Sequence, residues 1–419
     1  VVDSLQSSHD TSVYKEAQAH PAELVSAVGL MLDFDLNVQL YHAWRVAVVS
    51  YHLARRLADY EAPFVFFAGM LADCGAIRLK RHIVHEIMES PSVLGQKAHT
   101  QLFFHPIIGA EMVRQIPGMR RVAQLILHHH ECYNGIGYPA GYKADEIDIS
   151  AQILRLADQF DLVMRADNPD SIDDLMQTMT TFSGEDYSPA LLRTFRDLIE
   201  SNISFGRLQQ LEKLQQEVDS IIHTLSPISI SPTEFDWDRA LWAIAEIIDN
   251  RNDMFTQGKS SHIATLSTKI ATHMGLDAEE IKTTRWAAYL QNMGEVALRR
   301  SLLNKASKLD ESDLKHIHYH PIHSQNLIAR ISGFEDIAQA ARFHHENWDG
   351  SGYPDGLAMT EIPLAARIIH VVDSFVAMTS DRPYQKKREW RSALKDLRKQ
   401  AGKQFDPQVV DAALDLFRR

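Results

Sequence analysis

Cysteine is nearly absent. Cys74 and Cys132 are the only two in 419 residues, too few for a disulfide framework and in keeping with a reducing cytoplasm. Long apolar runs are also missing. The nearest, residues 24–32, is broken by Asp33 and Asp35, short of the roughly 18 residues a membrane helix needs. No membrane span is therefore expected. The chain opens Val-Val-Asp-Ser, with neither an initiator Met nor the basic-then-apolar layout of a signal peptide, and reads as trimmed. Basic runs are lacking as well. Lys and Arg number 43 against 55 Asp and Glu, a net charge of −12, which excludes the basic face expected of a duplex nucleic-acid binder. Any phosphate ester must find its positive charge locally, in a metal or a few cationic side chains. Alternating strand patterns are scarce. A content of 45% hydrophobic and 23% charged residues excludes disorder and leaves a globular chain of two or three domains.

Histidine is the one abundance, at 21 residues, and its placement reveals an internal repeat. The run His129-His130-Glu131-Cys132-Tyr133-Asn134-Gly135-Ile136-Gly137-Tyr138-Pro139 returns as His344-His345-Glu346-Asn347-Trp348-Asp349-Gly350-Ser351-Gly352-Tyr353-Pro354. The offset of 215 also carries His105-Pro106 onto His320-Pro321 and Asp158 onto Asp373. A tandem duplication accounts for one register of matches. Between the copies, residues 205–225 place Leu208, Leu211, Leu214, Val218 and Ile222 at helical spacing, read as a helix packed on one of the domains rather than a coiled-coil seam. The Pro- and Ser-rich stretch 226–232 then marks a boundary. The expected domains are 1–205 and 233–419, joined by a helical linker at 206–232. Helices are predicted at 43–58, 106–115, 121–130 and 240–248 from apolar residues at intervals of three and four. Gly135, Gly137 and Pro139 force a loop after the His-His pair. The fold class is all-α.

In the first copy the candidate metal ligands are His42, Asp73, His105, His129, His130 and Asp158. Imidazoles mixed with carboxylates suit first-row metals such as iron, manganese or zinc, and a helical bundle can converge them on its core. Asp73 can bridge two cations, and paired ions can activate water and clamp a phosphoryl group. No single histidine among them is informative; the ordered set is.

The signature His-His-Glu-x-x-(Asp/Asn)-Gly-x-Gly-Tyr-Pro, present twice, resembles the HD-GYP family of bacterial phosphodiesterases within the HD superfamily. The stretch from Asp373 through Arg382-Pro383-Tyr384 in the second copy adds to the likeness. The resemblance implies two tandem all-helical HD-type bundles. It also implies a site of two divalent ions, commonly iron or manganese with zinc or nickel as alternatives, and cytoplasmic hydrolysis of a cyclic dinucleotide, cyclic di-GMP or cyclic GMP–AMP, to a linear product. Within the ligand set Asp73 and His105 are the expected catalytic residues. Arg121, Gly137, Tyr138 and Pro139 are the expected substrate contacts, with Lys97, Arg78 and Arg165 as further candidates for phosphate. The resemblance leaves a homodimer open.

Departures from the family pattern separate the copies. The family's namesake His-Asp pair falls on Ala72-Asp73 in the first copy and on Gln291-Asn292 in the second, and its first His falls on His42 and Lys259. The second copy, having lost three ligands, is expected to be catalytically dead and to hold no dinuclear metal. Ala72 reads either as a natural loss or as an engineered exchange of a ligand that traps substrate. Ala76 replaces a family Lys, and the first copy lacks the Arg-Pro-Tyr tail. Two further readings stand beside hydrolysis of a cyclic dinucleotide: a non-hydrolytic receptor or scaffold with both copies degenerate, and a hydrolase of nucleoside phosphates. The missing charged groups at Asn134, Ala76 and the tail point to a pocket that tolerates one adenine, and so to cyclic GMP–AMP turned over at least as well as cyclic di-GMP.

Overall fold

The computed structural model describes residues 20–36, 41–78, 96–166, 171–201, 208–225, 235–250, 258–298, 300–303, 305, 309–380 and 387–417. The expected boundaries at 205 and 233, the 226–232 stretch and Arg382-Pro383-Tyr384 lie outside these residues, as do the side chains of Arg78 and Lys97. Among the described residues there is no β-strand, only isolated bridges. The first copy comprises α1 (Pro21–Leu36), α2 (His42–Leu57), α3 (Ala62–Leu71), α4 (Gln96–Val113), α5 (Arg120–His128), α6 (Ile149–Ala166), α7 (Ile172–Thr180) and α8 (Pro189–Ser201). A connecting helix, α9 (Leu211–Leu225), follows. The second copy repeats the order as α10 (Trp237–Asp249), α11 (Lys259–His273), α12 (Ala278–Leu290), α13 (Glu311–His318), α14 (His320–Ile328), α15 (Glu335–Phe343), α16 (Leu364–Thr379), α17 (Trp390–Gln400) and α18 (Pro407–Phe417).

Most helices are amphipathic and bury one stripe, as α5 does with Val122, Ala123, Leu125 and Ile126. Helix α1 is apolar nearly all round, and its described side chains are buried except Glu23. Such a helix needs cover on every side. It packs on α2 and α3 of its own copy and on α14 and the turn Met293–Ala297 of the other. The interface is pinned by Glu23, whose carboxylate accepts from Ser332 N and Oγ, both at 2.9 Å, and by the Arg330 guanidinium 5.2 Å above the buried Trp44 ring. Helix α10 answers on the other side, packing on α4 while Arg239 Nε donates to the Gln115 carbonyl.

Three sequence expectations need revision. The helix predicted from residue 106 starts at Gln96 and runs through Pro106; in the second copy the equivalent Pro321 lies in the first turn of α14, where its missing N–H costs nothing. Leu211 is exposed while Leu208, Leu214, Val218 and Ile222 are buried, so the linker stripe is displaced toward Ile221 and Leu225. That helix packs on α1 and α2, with His52 Nε2 2.8 Å from Glu217. Among the described residues, the run with the length and composition of a membrane span is Asp59–Ile77 rather than 24–32, and 78% of its apolar window is buried within the protein.

A buried aspartate stands ahead of α2 in the first copy and ahead of α11 in the second. Asp33 accepts from Ala43 N at 3.2 Å, and Asp249 accepts from Ser260 N and Oγ, both at 2.7 Å. Burial raises Asp249 to about 7, well above its unfolded value of about 3.9. Folding therefore favours its protonated form: this stabilisation is complete below about pH 4 and is lost as pH rises through about 7. Asn mimics the protonated acid at every pH. Asp249→Asn is expected to raise the melting temperature relative to the parent more at pH 8 than at pH 4.5, by about 2–4 °C per kcal/mol relieved. Equal shifts at the two pH values in differential scanning fluorimetry would refute this account.

Candidate metal centre

Five elements deliver the six first-copy residues. His42 is the first residue of α2, Asp73 follows α3, His105 lies within α4, His129 and His130 follow α5, and Asp158 is on α6. They converge. His42 Nε2 lies 3.2 Å from Asp73 Oδ2 and 3.7 Å from Asp158 Oδ1. His105 Nε2 lies 3.5 Å from Asp73 Oδ1, 3.4 Å from His129 Nε2 and 3.1 Å from His130 Nε2. Ligand atoms of Asp73, His105, His129 and His130 all fall within 4.8 Å of one another. Adjacent helical residues ordinarily diverge by about 100°; here the chain is leaving α5, so both rings of the pair turn to the same point.

Two glycines allow this approach. A Cβ on Gly75 would stand 2.0 Å from the His105 carbonyl oxygen, so only glycine lets the turn after Asp73 lie against α4. A Cβ on Gly137 would stand 2.1 Å from Cys132 N, so the loop can fold back beneath the histidines. Glu131 completes that loop by accepting from Ala140 N at 2.7 Å and Tyr142 N at 3.0 Å. The Glu of the signature thus organises the loop and is not a ligand.

The donor set fits divalent metal ions. Three imidazole nitrogens at 3.1–3.4 Å and a carboxylate facing two of the histidines form a buried concentration of lone pairs. Burial and the neighbouring His105 push His129 down to about 3, and burial with His129 pushes His130 well down. Both rings are therefore neutral, as ligands must be. Burial works against charge on His42, but Asp161 and Asp73 outweigh it and hold its pKa well above the ordinary value. Its Nε2 thus sits where a cation, proton or metal, is favoured.

Two residues escaped the sequence reading. Asp161, fully buried one turn beyond Asp158, accepts from His42 Nδ1 at 2.6 Å, from Arg45 Nε, and from Arg165 Nε at 2.7 Å. A carboxylate behind an imidazole fixes which nitrogen faces the metal, and the i, i+3 spacing from Asp158 was the available signal. Arg155, one turn before Asp158, lies 3.6 Å from Asp158 Oδ2 and 2.7 Å from Asp186; nothing local marked it.

Among the expected substrate contacts, Tyr138 stacks between His130 at 5.0 Å and the half-exposed Phe103 at 4.9 Å. Gly137 and Pro139 lie in the same loop. Arg121 has another setting: at the far end of α5 from His129, its guanidinium is bound by Glu61 at 2.9 Å and Asp148 at 2.6 Å. Its charge is already neutralised, and helical rise places it about 12 Å from the histidine end. Arg165 is likewise committed to Asp161.

The second copy keeps part of this arrangement. His320, His344 and His345 bring their ligand atoms within 4.8 Å, but Lys259 stands in place of His42 and its Nζ lies 2.9 Å from Asp373 Oδ1.

The HD domain family model matches residues 38–191 and 243–409, one match in each copy. The chain is 28% identical to the 3′3′-cGAMP-specific phosphodiesterase 3 of Vibrio cholerae over 305 residues, covering 73% of this chain and 65% of that protein. It is 37% identical to the cyclic di-GMP phosphodiesterase response regulator RpfG of Xanthomonas campestris over 211 residues, 49% of this chain and 54% of that one. It thus spans less than two thirds of the length of either. The 3′3′-cGAMP-specific phosphodiesterase 1 of Vibrio cholerae is 25% identical over 384 residues, 88% of this chain and 85% of the relative. Among solved structures, a cyclic GMP-AMP specific phosphodiesterase of V. cholerae matches with a TM-score of 0.66 at 22% identity, over 96% of this chain and 98% of its own, a likeness of fold across both copies.

Asp161→Asn keeps the shape of the carboxylate but removes its charge. It is expected to lower metal affinity at the first copy by about 10–100-fold, measured by competition with a chromophoric chelator. Unchanged affinity would show that His42 needs no such support.

Proposed function

Because the chain belongs to the HD domain family, we propose that its first copy is a metal-dependent phosphodiesterase that opens a cyclic dinucleotide to a linear dinucleotide in the cytoplasm. One observation carries the reading: His42, Asp73, His105, His129, His130 and Asp158 meet at one buried site. These six would hold two divalent ions, with iron and manganese the choices that suit imidazole and carboxylate together. Such ions supply Lewis-acid stabilisation of a phosphoryl oxygen and activation of water.

The protein's own groups set the geometry. Asp73 directs Oδ2 toward His42 and Oδ1 toward His105, so its two oxygens serve two positions. Asp161 orients His42, and Arg155 steadies Asp158. Tyr138, Gly137 and Pro139 form the wall beside His130, where a sugar or base of the substrate rests. Arg121 is left out of the substrate site. The second copy, from about residue 233, is a pseudo-domain that supports the first through α1. A non-hydrolytic receptor is the second reading, favoured by Ala72 and Ala76, both buried where the family has His and Lys.

The test is hydrolysis by the Ala72→His protein, supplied anaerobically with iron or manganese, on cyclic GMP–AMP and cyclic di-GMP. A linear dinucleotide is expected, with cyclic GMP–AMP turned over at least as fast. A preference of about tenfold for cyclic di-GMP, about 1.4 kcal/mol in the transition state, would refute the substrate assignment alone. Asp73→Ala in that background is expected to abolish turnover rather than raise KM, since it removes a group needed in the transition state. Binding measured by calorimetry without hydrolysis of either nucleotide would replace the enzyme with the receptor.

A further inference from the structure

The second copy has lost the bridging carboxylate and the first histidine of the dinuclear arrangement, yet its remaining histidines are not arranged as ordinary core residues. His320 donates its Nδ1 hydrogen to the Ile317 carbonyl at 2.7 Å, and His344 donates its own to Ala341 at 2.7 Å. Each bond fixes the tautomer, leaving the lone pair on Nε2. Those two Nε2 atoms face each other at 3.4 Å, and neither residue is more than 2% exposed. Two lone pairs so placed repel, with no hydrogen between them and little access to water. His345 adds a third ligand atom within 4.8 Å.

We propose that the second copy holds a single divalent ion of the zinc type on His320, His344 and His345, with the Lys259 ammonium supplying the site's other positive charge. The spacing supports it. A tetrahedral ion with metal–nitrogen bonds of about 2.0–2.1 Å sets its ligand nitrogens about 3.3–3.4 Å apart, the separation between His320 Nε2 and His344 Nε2. The first copy repeats the same distance between His105 and His129.

The substitutions explain why one ion remains and not two. Lys259 replaces His42 and forms an ion pair with Asp373, the counterpart of Asp158, so a covalently attached cation satisfies that carboxylate. Asn292 replaces Asp73 and cannot bridge as a carboxylate does. Val376 replaces Asp161, whose bond to His42 in the first copy has no counterpart where Lys259 stands. The remaining three-histidine site joins the start of α14 to the end of α15, at the root of the loop that Glu346 folds by accepting from Asp355 N and Gly356 N. Its role is to staple the pseudo-domain. The inference is independent of whether the first copy hydrolyses anything.

The experiment is metal analysis of the full chain after growth with zinc and exhaustive dialysis, in a background where Asp73→Ala and His129→Ala disable the first copy. That protein is expected to retain about one zinc per chain, and adding His344→Ala is expected to bring it below about 0.2. Loaded with cobalt instead, the background protein should show the visible absorption of a tetrahedral ion, lost with His344→Ala. A second pair keeps the test sound if His344→Ala fails to fold: adding Lys259→His with Asn292→Asp to the background should raise the ratio from about one toward two. A folded background protein without bound metal would overturn the proposal. So would a metal content that neither His344→Ala nor the Lys259 and Asn292 exchanges alter.

Discussion

The structure is organised around imidazole nitrogens brought face to face, a juxtaposition that a bound cation would relieve. In the second copy His320 and His344 each give the Nδ1 hydrogen to a carbonyl, so their buried Nε2 atoms, 3.4 Å apart, have no hydrogen to share; in the first copy His129 turns the same lone pair toward His105 at 3.4 Å. Four rings are held from behind: His42 by Asp161, His129 by Ile126, His320 by Ile317 and His344 by Ala341. The bundle spends helix ends and two tightly packed glycines to keep them there. Such a cost is sustained when a bound ion returns it as folding free energy.

The duplication gives an internal comparison in which one scaffold carries two charge patterns. Helix order, the buried aspartates ahead of α2 and α11, the carboxylate of the signature bonded to its own loop, and the three-histidine core are common to both halves. What differs changes together. Where His42 becomes Lys259, the supporting Asp161 becomes Val376, because an ammonium already paired with Asp373 has no tautomer to fix. Arg155, which steadies Asp158 in the first copy, becomes His370, which turns to Asn347 at 3.2 Å and leaves Asp373 to Lys259. Helix α1, shared between the halves, contacts the turns that follow both Asp73 and Asn292.

Much of this was legible in the sequence. The repeat, the all-helical class, the loop after each His-His pair and the ordered ligand set follow from residue type and spacing, because local backbone preference and helical periodicity are properties of neighbouring residues. Arg121 shows the limit: a lone arginine near the signature suggests a phosphate contact until Glu61, sixty residues earlier in the chain, is found beside it. Arg155 shows the converse, a guanidinium that the sequence does not distinguish and that folding places between Asp158 and Asp186.

The sequence by itself determined which side chains were available to bind metal and that they came in two unequal sets. The tertiary structure decided which atoms face one another: that Asp73 presents one oxygen to each of two histidines, that Asp161 stands behind His42, and that Lys259 reaches Asp373. Those pairings join residues more than thirty and up to about 120 positions apart, and no local preference encodes them. They arise only when packing α1 through α6, and α10 through α16, brings helix ends to a common point.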